Sequence, residues 1–159
     1  MQEHHIFLPT PADTHQMGFW LGQHCIIPLF IGLNGNLGAG KTALSQGFGE
    51  GFGVTERLTS PTYNLLNVYS SPRGSLFHLD IYRLHDVEEV FELGIEEALE
   101  QPSVILMEWK NKFTDWPLDM SPLEIELEHH PRGRQLTLRA AQLQSLFNAP
   151  IPDDATGLA

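Results

Sequence analysis

The eight residues GNLGAGKT, Gly35 to Thr42, constrain the fold of this chain more than any other stretch. They complete the pattern G-x-x-x-x-G-K-[ST], whose chemistry works only in one setting: a buried strand, a tight glycine-rich loop, then a helix that starts at the lysine. Glycines let backbone N–H groups approach phosphate oxygens, and the helix N-terminus turns its positive end toward the same anion. Lys41 can reach the outer phosphates, and the Thr42 hydroxyl can ligate magnesium. Both flanks meet the requirement. IIPLFIGLN is a short, almost continuous apolar run, as a strand buried on both faces requires. KTALSQGFGEGF sets Leu44, Phe48 and Phe52 four apart on one helical stripe, with Gly53 as a stop. The loop therefore makes Gly35, Asn36, Leu37, Gly38, Ala39, Gly40, Lys41 and Thr42 candidate nucleotide contacts.

The chain has 159 residues, the size of one domain, expected over 1–150, with 151–159 as a disordered tail. Residues 1–13 read as an irregular lead-in punctuated by Pro9 and Pro11, with Asp13 or Thr14 capping a first helix that runs to about His24. NLLNVYSSPRGSLFHLDIYR offers two strands around Ser71-Pro72-Arg73-Gly74. HDVEEVFELG begins on a capping-box-like Asp86 with Glu89 three residues on, and stops at Gly94. A short helix, IEEALEQ, ends before Pro102, and VILMEW follows as a buried strand. LEIELEHHPRGRQLTLRA alternates in period two on both arms and predicts an antiparallel hairpin bent at Pro131-Arg132-Gly133. AQLQSLFNA allows a last helical turn or two. There are no internal repeats and no linker. This order predicts a three-layer α/β fold of the phosphate-loop type, with a compact sheet of parallel and antiparallel strands. Gly47, Gly49 and Gly51 each weaken the helix after the loop by about 1 kcal/mol against Ala; close packing on the sheet would account for them.

Phosphoryl chemistry also needs an acid to hold the metal or orient water. Two acids end apolar strands, Asp80 in LFHLD and Glu108 in VILME. In open α/β sheets the ligand lies beyond the C-terminal strand ends, where both would project. Which of them touches magnesium directly, and which works through water, is open at this level. TSPTY, Thr59 to Tyr63, lies where nucleotide-sensing segments often sit, so Thr62 is a candidate switch residue; an ordinary Ser60-Pro61 turn explains the same letters equally well. Trp109 fits a core residue as well as a contact beside Glu108.

The net charge of −11, with 9 basic and 20 acidic residues, excludes a nucleic-acid grip built on clustered Lys and Arg. Only Arg132, Arg134 and Arg139 are loosely grouped, so on any RNA pathway another protein is expected to hold the RNA. Eight histidines form no zinc pattern, and a lone Cys25 cannot make an internal disulfide, which suits a reducing cytoplasm. No apolar run reaches the roughly 18 residues of a membrane span.

GNLGAGKT, SPTYNLLNVY, FHLDIYRL, ELGIEEAL and VILMEW stand in the order and approximate spacing of the TsaE (YjeE) ATPases, which this sequence resembles from about residue 32 to 110. That family serves the threonylcarbamoyl-adenosine modification beside the anticodon of certain tRNAs. The resemblance implies a weak ATPase using ATP and Mg2+, which acts on a TsaB–TsaD transferase complex and meets tRNA only through it. It implies Lys41 and Thr42 as phosphate and magnesium contacts, Thr62 as a switch, Asp80 as the essential acid, Glu108 as a magnesium-site ligand and Trp109 in the same site. Arg134 matches a basic residue near the nucleotide base.

Two positions depart from the family pattern. Asn36 stands for a common Asp and removes a negative charge near the phosphates, which should alter affinity without abolishing binding. Val68 replaces a common Glu, which would modify a partner contact there. Two other functions remain. A small-molecule kinase would need a lid carrying several Arg, and residues 84–131 contain none. A nucleotide-dependent binding switch with negligible turnover has the same sequence signature, because rate depends on sub-ångström placement of Asp80 and water.

Overall fold

In the computed structural model, which describes residues 1–36, 38–61, 64–113 and 122–158, the strand before the loop lies at the centre of the sheet. This strand, β2 (Leu29–Gly35), pairs in parallel with β5 (Ser103–Glu108) on one side and with β6 (Leu123–His130) on the other. Beyond β5 come β4 (Gly74–Asp80), parallel to it, and β3 (Leu66–Ser71), antiparallel and at the edge. Beyond β6 come β7 (Gly133–Ala140) and β1 (Gln2–Leu8), each antiparallel to its neighbour. The described residues thus form a seven-stranded mixed sheet in the order β1-β7-β6-β2-β5-β4-β3. Both predicted hairpins are present, β3–β4 and β6–β7.

Alternation along the strands sorts two apolar layers. Leu29, Ile31, Leu33, Leu76, Val104 and Leu106 face helices α1 (Pro11–His24) and α2 (Lys41–Phe52). Phe30, Phe77, Leu79, Ile105 and Met107 face the shorter α3 (Val87–Glu92) and α4 (Ile95–Leu99). These are the three expected layers. Among the described residues no helix is long and apolar enough to cross a membrane.

Four expectations change, three of them in the course of the chain. The lead-in is strand β1: Ile6 and Leu8 are fully buried, while its other residues give no clean alternation, and its pairing partner β7 lies about as far away as the chain allows. Helix α1 starts earlier than Asp13, because Thr10 is the cap. Its Oγ1 accepts from the Asp13 amide at 3.2 Å, and the Asp13 carboxylate accepts from the Thr10 amide at 3.0 Å. Pro11 is then the first helical residue, where the missing N–H costs nothing, rather than a break before the helix. Finally, the C-terminal residues fold back instead of forming a disordered tail. Ile151 and Leu158 pack on the core, residues 155–158 make a 3-10 turn, and His4 Nε2 donates to the Pro152 carbonyl at 2.9 Å.

The glycines of α2 pack differently from the expectation too. A Cβ on Gly47 would fall 2.0 Å from the His15 carbonyl oxygen, and one on Gly51 2.0 Å from that of Phe19. From the other side, Gly18 and Gly22 of α1 would meet the Leu44 and Phe48 carbonyls at 2.1 Å. Two parallel helices therefore touch backbone to backbone, and the close partner of Gly47 and Gly51 is α1, not the sheet; Gly49 is filled by the Leu58 side chain. Helix propensity alone would make Gly47→Ala stabilising by about 1 kcal/mol. The backbone overlap decides the sign, since neither carbonyl can rotate away without breaking its helix. We expect Gly47→Ala to destabilise by about 3 kcal/mol, as overpacking in a rigid core does, seen as a lower urea midpoint with an unchanged slope.

Candidate functional site

Everything at the site hangs from the C-terminal ends of β2, β5 and β4. The loop leaves β2 at Gly35 and enters α2 through Gly40, whose φ of +107° is a left-handed conformation that suits glycine. Parallel register sets Leu33 beside Glu108 and Glu108 beside Asp80, so both acids emerge next to the loop. Gly38, Ala39, Gly40, Lys41 and Thr42 share one cavity of about 480 Å3 with Asp80, Glu108 and Trp109. Ala43, Gln46, Arg57 and Ser60 complete its wall.

Lys41 is 8% exposed. Its Nζ donates to the Gly35 carbonyl and lies 3.9 Å from the centre of the Trp109 ring. Burial pushes the ammonium below the ordinary lysine range, and the negative charges of Glu108 and Asp80 oppose that shift. Asp80 is half-buried, and burial raises its carboxyl above the usual carboxylate range. The Tyr82 amide, which donates to Asp80 Oδ1 at 3.0 Å, works against this, while the Glu108 charge adds to it. Glu108 is 5% exposed and accepts a hydrogen bond from His78 Nε2 at 2.9 Å. Directly after it the chain turns through Trp109 at φ +67°, held by the Trp109 amide donating to the Leu33 carbonyl at 3.0 Å. A non-glycine residue in this region is uncommon and costs conformational energy. Here the turn lays the indole across Lys41, so Trp109 belongs to the site as well as to the core.

The other candidates fall in different places. Gly35 and Asn36 line a neighbouring cavity of about 520 Å3 on the far side of Trp109, with Tyr82 and Lys112. Arg134 lies behind the loop and bonds its backbone: Nε donates to the Ala39 carbonyl at 3.0 Å and a terminal nitrogen to that of Gly38 at 3.3 Å. It also borders a smaller cavity of about 100 Å3 formed by Pro9, Thr10, Pro11, Thr14, Gly40 and Ala43. Leu37 and Thr62 lie outside the described residues. Val68, the second departure from the family pattern, is 54% exposed on the edge strand β3.

Among the residues at the site that escaped the sequence reading are Gln46, Arg57 and His78. Arg57 sits in an irregular segment with no motif around it. His78 precedes Asp80 by two residues on the same strand face, a spacing that would have marked it.

The donors suit a hard cation. The Thr42 hydroxyl and the Asp80 and Glu108 carboxylates offer oxygen donors at one cavity. Among the described residues no group of three His, Cys, Asp or Glu could hold a metal by itself. Magnesium is commonly bound this way, through one or two protein oxygens plus the phosphates of a nucleotide.

Comparison with known proteins bears on this geometry. The family profile described as "Threonylcarbamoyl adenosine biosynthesis protein TsaE" matches residues 8–136, a span holding every candidate site residue. A Nostoc sp. protein described as "tRNA threonylcarbamoyladenosine biosynthesis protein TsaE" is similar, at 41% identity over 111 residues, covering 67% of this chain and 68% of that one. A Haemophilus influenzae protein of the same description is 40% identical over 112 residues, 70% of each chain. The crystal structure of YdiB from Bacillus subtilis shares the fold, with a TM-score of 0.70 over 91% of both chains at 24% identity.

Proposed function

The chain belongs to the TsaE family of tRNA threonylcarbamoyladenosine biosynthesis, and we propose that it serves that pathway as a slow, magnesium-dependent ATPase acting on a TsaB–TsaD complex. The observation that carries this reading is the shared cavity of Lys41, Thr42, Asp80 and Glu108 at the end of a phosphate loop. The loop and the start of α2 hold the phosphates, and Lys41 leaves the Gly35 carbonyl to bond their oxygens. Thr42 and Glu108 would hold magnesium, which would supply neutralisation of the charge on the transferred phosphoryl group. Asp80, less acidic than an exposed aspartate, accepts a hydrogen bond from the attacking water and orients it. The small cavity beside Gly40 and Ala43 takes the base, with Arg134 at its edge. Thr62 would sense the γ-phosphate and couple its presence to recognition by TsaB–TsaD. Cytoplasmic location and indirect contact with tRNA follow from the same role.

Phosphate release from ATP, measured with the pure protein and again with purified TsaB–TsaD, tests the proposal. Slow release that accelerates severalfold with the partners is expected. Unchanged release despite complex formation would instead identify a passive nucleotide switch, and failure to form a complex would remove the partner assignment.

A further inference from the structure

His78 lies under the site and takes no direct part in the chemistry proposed above. It stands on β4 with its side chain on the α1–α2 face, between Leu76 and Asp80. It is 2% exposed, and its one polar partner among the described residues is Glu108, with Nε2 2.9 Å from Oε2. His78 Nδ1 is buried and has no hydrogen-bond partner among the described residues. This assigns the tautomer. A proton on Nδ1 would be an orphaned buried donor, so the proton belongs on Nε2 and points at the carboxylate.

We propose that His78 is a positioning residue for the metal site: its Nε2–H fixes one oxygen of Glu108 and so presents the other to magnesium. This inference rests on the reading that Glu108 holds the metal. Two observations favour it over an ordinary polar pair in a core. A histidine with one ring nitrogen unpartnered among the described residues is a costly way to fill a sheet interior, so packing alone does not explain it. Moreover, the bond is made to the acid that ends β5, at the cavity wall, where a hydrogen bond behind a ligand sets its direction. Hydrogen-bonded supports of this kind change metal affinity by about 10- to 100-fold when removed.

A pair of amides separates position from polarity. In His78→Gln the amide nitrogen overlies Nε2 and still reaches Glu108; in His78→Asn it overlies Nδ1 and falls short. The readout is binding, not turnover: calorimetric affinity for the β,γ-imido analogue of ATP, measured in MgCl2 and in EDTA. We expect the wild type to bind more tightly with magnesium, His78→Gln to keep that gain within about threefold, and His78→Asn to lose about 10-fold or more of it, by the supporting-shell magnitude. Affinity in EDTA should be the same in all three. Equal behaviour of the two variants, whether both intact or both impaired, would overturn the inference. Glu108→Gln is measured alongside. If it leaves the magnesium gain intact, the metal reading itself fails and takes the inference with it; if it removes the gain while His78→Asn does not, the inference about His78 fails alone.

Discussion

Replacing Asp80 with Ala is expected to lower ATP hydrolysis by about 100- to 1,000-fold, the range for loss of a positioned acid–base or electrostatic group, while nucleotide affinity changes less than about threefold. The separation follows from location. Asp80 ends β4 across Glu108 from the loop, whereas Gly38 to Thr42, the proposed phosphate contacts, lie on the α2 side. Asp80 also has a structural task, since its Oδ1 accepts from the Tyr82 amide and closes the turn after β4. Asp80→Asn keeps that acceptor and removes the charge, so it should lose hydrolysis as completely as the Ala variant. Its effect on stability has a definite sign. The carboxyl is raised above its unfolded value, so the folded state binds its proton more tightly. Ionised Asp80 therefore weakens the fold at neutral pH, and the penalty is relieved as pH falls through the raised value. Asp80→Asn should accordingly unfold at a denaturant concentration no lower than the wild type at pH 7. Parallel loss of binding and hydrolysis would remove Asp80 from the catalytic role.

Lys41→Ala should weaken nucleotide binding by about 100-fold, because charge-assisted hydrogen bonds to phosphate contribute about 1.5–3 kcal/mol and the other cationic side chain among the described lining residues, Arg57, lies away from the start of α2 in sequence. Hydrolysis falls with it, in contrast to Asp80. The folded protein itself should be nearly indifferent. The substitution removes a bond to Gly35 and a cation over the Trp109 ring, but it also removes an ammonium that burial disfavours. We expect stability within about 1 kcal/mol of the wild type, in line with such offsetting terms. Burial lowers the Lys41 pKa, so the wild type should lose affinity on the alkaline side at a pH below the ordinary lysine range. That limb should be missing from the titration of Lys41→Ala.

Arg134 joins the place that the family resemblance implies to a structural task. The family resemblance brings it to the nucleotide base, yet its guanidinium is largely engaged with the Gly38 and Ala39 carbonyls. It thus supports the loop from behind and borders the small cavity proposed for the base. Its partners lie some 95 residues earlier in the chain, on a loop whose carbonyls leave no trace in the identity of the residues carrying them.

What the chain determines by itself is what contiguous residues can do. Phosphate binding needs glycines, a lysine and a hydroxyl within one turn of each other, so the site announces itself between residues 35 and 42. A strand buried on both faces is a run of apolar letters, and β2 and β5 were legible for that reason. Hairpins and local caps follow from the same short range, which is how both hairpins and the Asp86 cap could be read. The tertiary structure decided the rest, because those features are contacts between segments that carry no mutual mark. It made residues 2–8 a strand by offering β7 as a partner, and it drew the last residues back onto the core. It turned four glycines that propensity counts as defects into the surface on which α1 and α2 meet. It also set His78 against Glu108, thirty residues away, through the register of β4 on β5. A hydrogen bond of that kind depends on the relative height of two strands, which the packing of the whole sheet sets and no local stretch of either strand records.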